Sequence, residues 1–399
     1  MGSLDLSGDL GKRTPLYPLF MLAFHYNPDG ILIAQMVLSL IVTAAIFYAV
    51  LTLSQRPAAA AVGSALFGVS LSQIGIESYL LSEALATLLL ALVAVTMVLL
   101  WSDHAHRVTP KIVAMAVFAG LVPLARPTYA YVPLVVVAVT LLWAPRSVRR
   151  ILLVSLIAVL PMLAWSTFNS VRGDSFGLST GLGLNLTNKT GSYIQDAPQK
   201  YAEIRDLYDK ARTEDHGQYV NTIWRHYESM MQATGQSFNQ LSDSFLHMNL
   251  ELIRMYPCRY ASNVISAFVD FFKFGGYYSG LPSLGGLTHI VAQLERWLNG
   301  LVSLTFMLLV ASWVVRGVRR RTWRPLTPLF WLSVIVLMAD VISAVIEYGD
   351  NQRFGMPTQP LMFTVVVVAS TGVLERLLAS RHAGRGRVNR PGFSGDSVV

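Results

Sequence analysis

The run ILIAQMVLSLIVTAAIFYAVLTLS, residues 31–54, carries no charged side chain. A helix rises about 1.5 Å per residue, and about 20 apolar residues cross the ~30 Å hydrocarbon core of a bilayer. This run is therefore long enough to span a membrane. Further apolar runs lie at about 57–76, 82–101, 111–125, 128–144, 151–168, 293–316, 325–346 and 355–377. Together they predict about nine transmembrane helices. The pair at 111–125 and 128–144 is short and split by Arg126-Pro127, a place for a re-entrant turn. Composition agrees: the 399 residues are 53% hydrophobic and 14% charged, against about 25% charged in soluble domains. The chain reads as an all-α polytopic membrane protein.

The net charge of +8 has a source other than a nucleic-acid surface. Arg56, Arg107, Lys111, Arg146, Arg149, Arg150, Arg316, Arg319, Arg320, Arg321 and Arg324 all fall in alternate loops, and Arg376 to Arg390 follow the last span. An excess of cations marks the cytoplasmic side, so the C-terminus is cytoplasmic. Residues 1–30, the Glu77–Glu83 turn, the Arg126 break, the segment 169–290 and the Tyr348–Phe354 turn are then outside. An odd number of spans also places the N-terminus outside. Met1 to Leu10 lack the apolar core of a signal peptide, so we expect a further natural span upstream of Met1. The single cysteine, Cys258, forms no internal disulfide.

Four parts follow. Residues 1–168 are an N-terminal membrane half with the first outer loop, 169–290 an extracytoplasmic insertion, 291–378 the C-terminal membrane helices and 379–399 a disordered cytoplasmic tail. Within the insertion, Gly173 to Gly191 reads as loop. Helical spacing appears at about 198–212, 217–234 and 238–256. There Ile204, Leu207, Tyr208, Val220, Ile223, Trp224, Tyr227, Leu241, Phe245, Met248 and Leu252 suit a small packing face. The Phe-rich stretch Tyr260 to Tyr278 suits the membrane interface.

Chemistry is sought among polar groups at the outer face. The stretch Gly8 to Phe20 sets Asp9 beside Lys12 and Arg13, with Pro15 and Pro18 expected to keep the backbone out of helix until about Leu19. An acid beside two cations suits a proton acceptor next to a phosphate clamp, and equally an amphipathic entry loop. Glu77, Glu83, Arg126, Asn169, Arg172, Asp174, Asn185, Lys189, Glu347, Tyr348, Asp350, Gln352 and Arg353 share that side. Helix capping and headgroup contact are the bland roles for such residues. Asp340 lies within a span, where a carboxylate costs about 2.5–3.5 kcal/mol. Asp103-His104-Ala-His106 has metal-ligand residue types but no convincing further ligand, and no phosphate-binding loop, dinucleotide fingerprint or nucleophile elbow occurs.

Several segments resemble the polytopic lipid-dependent glycosyltransferases of the GT-C type, in particular members akin to glycosyltransferase family 39 and the lipid A aminoarabinose transferase. They are Arg13-Thr-Pro-Leu-Tyr-Pro-Leu-Phe20, Leu81-Ser-Glu83-Ala-Leu85, Leu124-Ala-Arg126-Pro127, and Pro161-Met-Leu-Ala-Trp165 running into Asn169. Gly177-Leu-Ser-Thr180-Gly-Leu-Gly-Leu-Asn185 and Gln352-Arg353-Phe-Gly-Met-Pro357-Thr-Gln-Pro360 complete the set, which covers roughly residues 8–190 and 345–378. Each is weak singly; their order, spacing and common side carry the resemblance.

The resemblance implies a GT-C-like bundle in a bacterial inner membrane, working on the cell envelope at the extracytoplasmic face. The donor would be a sugar on a polyprenyl phosphate, and the acceptor a glycan, a lipid or a protein. Attack would invert the anomeric carbon. Lys12, Arg13 and Arg353 would hold the donor phosphate, while Glu83, Arg126, Asn169 and Tyr348 shape the cavity. The family's catalytic carboxylate lies further upstream of the R-x-P-x-Y-P element than either Asp9 or Asp5. Either Asp9, with Asp5 as the loop's other acid, takes that role, or the acid is missing and the chain is an inactive fragment. No cofactor beyond the donor is implied; some relatives use a divalent metal and others none. The rivals are a transporter or flippase of lipid-linked sugars, an O-antigen polymerase-like protein and a non-catalytic scaffold. A transporter would need intramembrane charge, for which Asp340 is the candidate.

Overall fold

The computed structural model describes residues 14–102, 108–143, 148–172, 176–273, 286–320 and 327–388, and these contain helices and no strands. The first half runs α1 (Leu16–Ala23), α2 (Pro28–Ser54), α3 (Pro57–Gly68), α4 (Leu71–Glu77), α5 (Glu83–Ser102), α6 (Val108–Ala125), α7 (Val132–Trp143) and α8 (Val148–Val171). An insertion follows as α9 (Leu182–Thr190), α10 (Ala202–Glu214), α11 (Thr222–Thr234), α12 (Phe238–Met255) and α13 (Pro257–Phe271). The chain closes with α14 (Gly286–Arg320), α15 (Pro328–Ile346), the short α16 (Asn351–Gly355) and α17 (Gln359–Val388).

Among the described residues, six helical stretches are long and apolar enough to cross a membrane: Pro28–Ser54, Glu83–Ser102, Val148–Val171, His289–Arg319, Pro328–Ile346 and Asn351–Glu375. The number rises to seven if α3 and α4, bent by 46°, make one broken span. The expected count of about nine is therefore not confirmed. The runs at 111–125 and 128–144 are helical but short, at Pro110–Ala125 and Pro127–Trp143. The break falls at Arg126, whose extended conformation, φ −147° and ψ 121°, interrupts the helix and is the one that the following Pro127 favours.

Three other expectations are corrected. Helix α1 begins at Leu16 rather than near Leu19. Pro18 falls in its first turn, where the missing N–H had no intrahelical acceptor to lose. Residues 182–190 are helix, not loop. Finally, α17 continues to Val388, past the boundary set at 378.

The main core is made by α2, α5, α6, α7, α15 and α17, with Leu90, Met97, Met115, Val136, Ile335 and Phe363 fully enclosed. Helix α5 is the central one, since 67% of its apolar window is buried, against 22% for α2 and 17% for α8. The outward leucines of α2 and α8, such as Leu40 and Leu152, therefore face the surroundings, as lipid-facing positions do.

The insertion has its own core of Leu184, Ile204, Tyr208, Ile223, Leu241, Phe245, Met248 and Leu252. Helix α12 starts with a capping box between Ser237 and Gln240. Helix α9 lies so close to α12 that a Cβ on Gly183 would sit 1.8 Å from the Ser242 carbonyl oxygen. Asn249 locks the pair: its amide donates to Gly183 O and to Thr187 Oγ1, both at 2.9 Å, and its carbonyl accepts from Thr190 Oγ1 at 2.6 Å.

The insertion sits on the α15–α16 turn. Tyr219 stacks on Tyr348 at 6.0 Å, and Tyr260 Oη donates to Val345 O at 2.8 Å. Gly349 adopts φ +97° with Val220 pressed against it, a place only glycine fills without strain.

Candidate functional site

A cavity of about 970 Å³ opens between the span ends and the insertion. Thr14 and Tyr17 line one side, and Ser82, Arg126, Arg353 and Phe354 the membrane end. Leu178, Ser179, Asn185, Trp224, Tyr227, Glu228 and Phe238 close it from the insertion. Two contacts seat α1 there. Thr14 Oγ1 donates to Ala125 O at 3.1 Å, and Tyr17 Oη donates to Gln35 Oε1 at 2.9 Å. Gln35 in turn donates to Glu77 O and Tyr79 O.

At the membrane end, three residues from distant parts of the chain meet. Glu83, in the first turn of α5 and 1% exposed, accepts from Arg353 Nε. Arg126 Nη1 lies 3.1 Å from the same Glu83 oxygen. That contact is an ion pair without a well-directed hydrogen bond, and Glu83 Oε2 also lacks a hydrogen-bond partner among the described residues. The Arg126 guanidinium lies 4.6 Å from the centre of the Phe354 ring, and Tyr129 Oη fixes that strand of chain by donating to Phe354 O at 2.8 Å. Asp350 accepts from Arg353 Nη1 at 3.4 Å. The two arginines and two acids balance in charge, and the polar atoms left without directed bonds are those of Arg126 and Glu83.

The expected site residues divide clearly. Glu83, Arg126 and Arg353 come together, the two arginines in the cavity lining and Glu83 outside it. Asp5, Asp9, Lys12 and Arg13 lie outside the described residues, as do Asp103 to His106. Asn169 is 1% exposed and donates to Gly177 O at 2.8 Å; it is not in the cavity lining but holds the loop whose next residues, Leu178 and Ser179, are. Tyr348 is also outside the lining, stacked on Tyr219 with Lys189 Nζ 5.0 Å from its ring. Trp224, Tyr227, Phe238 and Glu228 were missed as lining. In the sequence Trp224 and Tyr227 carry only a packing periodicity, and Phe238 and Glu228 carry no site signal. Among the described residues, no three His, Cys, Asp or Glu side chains are placed to hold a metal ion.

A second buried polar group joins the insertion to the span ends. Asn188 donates its amide to Glu347, accepts from Asn221 N at 3.0 Å, and neighbours Lys189, whose Nζ donates to Asn263 O at 3.0 Å. Burial outweighs the help of Asn188 and pushes the Glu347 carboxyl up to about 8, with Asp350 adding to the rise. Burial likewise brings Lys189 down to about 7 against the opposing pull of Glu347 and Asp270. A carboxyl raised on folding binds its proton more tightly in the native state, so its contribution to stability is present below pH ~4.5 and is lost as pH rises to about 8. A lysine lowered on folding does the opposite, and stability recovers as pH rises from about 7 to ~10.5. Thermal stability in detergent is expected to pass through a minimum between pH 7 and 8. Glu347→Gln should flatten the acid side of that curve; an unchanged pH profile in this variant would contradict the assignment.

Compared with protein-family models, with curated proteins and with solved structures, the chain matches none.

Proposed function

We propose that the chain is a membrane glycosyltransferase of the GT-C type that takes a sugar from a polyprenyl-phosphate donor at the extracytoplasmic face of a bacterial inner membrane. The observation that carries this reading is the pair Arg126 and Arg353, which line the membrane end of one large cavity and are both held by the buried Glu83 outside its lining. A lipid-borne head group reaches a site at that height from the bilayer, and guanidinium groups are the usual partners of phosphate oxygens. In this reading Glu83 orients the two arginines. Their N–H groups then stabilise the negative charge that grows on the phosphate as the anomeric C–O bond breaks. The acceptor oxygen bonds the anomeric carbon from the opposite face, and the polyprenyl phosphate leaves with the electron pair. The acceptor's proton passes to an acid of the first loop, Asp9 or Asp5. The shorter helices at 110–125 and 127–143 and the bent α3–α4 pair would complete a nine-segment bundle.

The test is release of radiolabelled sugar from polyprenyl-phosphate donors by reconstituted protein. Arg353→Ala is expected to slow release about 100-fold, and Asp9→Asn to abolish it if Asp9 is the base. Release that is equally fast in Arg353→Ala would overturn the reading. One observation favours a transporter of lipid-linked sugars instead: Asp340, 0% exposed within a span, has no hydrogen-bond partner on either carboxylate oxygen among the described residues. Movement of intact sugar-lipid across the bilayer, without release, would select that function.

A further inference from the structure

The cavity has two chemically different ends. The membrane end is ionic. The far end belongs to the insertion, where Trp224, Tyr227 and Phe238 form an aromatic wall. Tyr227 meets Phe238 edge-on at 5.6 Å, and Trp224 lies 6.1 Å from Tyr227 and 6.5 Å from Phe238. Each ring packs on the insertion core with one part and faces the cavity with another. Glu228 and Asn185 border the same space, and the Glu228 carboxylate is held by a 3.0 Å hydrogen bond from Tyr227 Oη. The wall is also braced. Arg225, next to Trp224, reaches Asp215 with two hydrogen bonds of 3.0 and 2.7 Å, fixing α11 against the end of α10.

We propose that this end is an acceptor subsite and that it takes a saccharide. Flat aromatic rings bury the C–H faces of a pyranose, while a carboxylate and an amide at their edge accept from and donate to its hydroxyls. A purely lipid acceptor would have no use for Glu228 and Asn185 here. The inference rests on the transferase reading for the word acceptor, though the saccharide subsite stands by itself as a binding site. Among the acceptor classes it favours a glycan over a purely lipid acceptor.

Saturation-transfer NMR on the full chain in detergent, with maltose, cellobiose, mannobiose and galactobiose as probes, tests it. At least one disaccharide should receive saturation from the protein. The signal should fall at least fivefold in Trp224→Ala and in Glu228→Gln, and persist in Trp224→Phe and in Cys258→Ser, a change at an exposed, remote position. Trp224→Phe keeps a flat ring, so its behaviour separates loss of the platform from loss of the fold. No transfer to any probe, or equal transfer in Trp224→Ala, overturns the proposal. Sugar release from the donor reads the other end independently. Disaccharide binding without release would keep the subsite and refute the transferase; release with no Trp224 dependence of disaccharide binding would do the reverse.

Discussion

Glu83→Ala is expected to destabilise the protein by about 3–5 kcal/mol, seen as a fall of several degrees in its melting temperature. Glu83 is 1% and Arg126 6% exposed. A buried pair is close to neutral beside a well-packed apolar replacement, because its attraction mostly offsets the loss of hydration. Removing one partner leaves the other charge buried and uncompensated, and that costs about 3–5 kcal/mol. Arg353 suffers less, since it keeps Asp350 at 3.4 Å and is partly exposed. The double variant Glu83→Leu with Arg126→Met should therefore recover most of the lost stability. If Glu83→Ala melts like the unchanged protein, the ion pair is not what organises the membrane end of the cavity.

The second large effect is expected at Gly183. A Cβ there would lie 1.8 Å from Ser242 O and 2.7 Å from Leu246 N. Both neighbours are backbone, so no side chain can swing away and α9 must move off α12. That movement would strain the Asn249 hydrogen bonds to Gly183 and Thr187 as well. Overpacking a core commonly costs about 1–3 kcal/mol and occasionally more; with backbone on both sides we expect Gly183→Ala to cost about 3 kcal/mol. Hydrogen exchange should show the amides of α9 and α12 losing protection together. Gly300→Ala is the control, because nothing lies within 4 Å of its Cβ position. Equal protection in both variants would contradict the close approach of the two helices.

Much of this architecture is legible in the sequence, for identifiable reasons. Apolar length alone marks α2, α5 and α15, and the 3.6-residue periodicity of 202–255 marks the insertion helices and their shared core. Arg126-Pro127 marks its own break, since proline disfavours helix at the residue before it. The number of spans is less legible. Residues 111–125 are as apolar as a span but too short, and composition does not say whether such a helix crosses or turns back. Helix α9 is hidden for a different reason: Gly183, Asn185, Thr187, Asn188 and Thr190 are poor helix formers. Contacts from α12, remote in sequence, hold it helical. Within the site, Glu83, Arg126 and Arg353 attract notice as charges beside apolar runs. Trp224 and Tyr227 do not, because periodicity shows that residues share a helix face without showing whether that face meets a core or a cavity.

Photo-crosslinking tests most directly whether the cavity receives a lipid-borne phosphate. A polyprenyl phosphate with a diazirine on its first isoprene unit would be irradiated with the reconstituted protein, and the labelled peptides mapped by mass spectrometry. We predict labelling around Leu80–Ser82, Ala125–Thr128 and Arg353–Phe354, the residues that line the membrane end, competed away by unlabelled polyprenyl phosphate and lost in Arg353→Ala. Labelling confined to the outward faces of α2 and α8, unaffected by competitor or by the loss of Arg353, would contradict it.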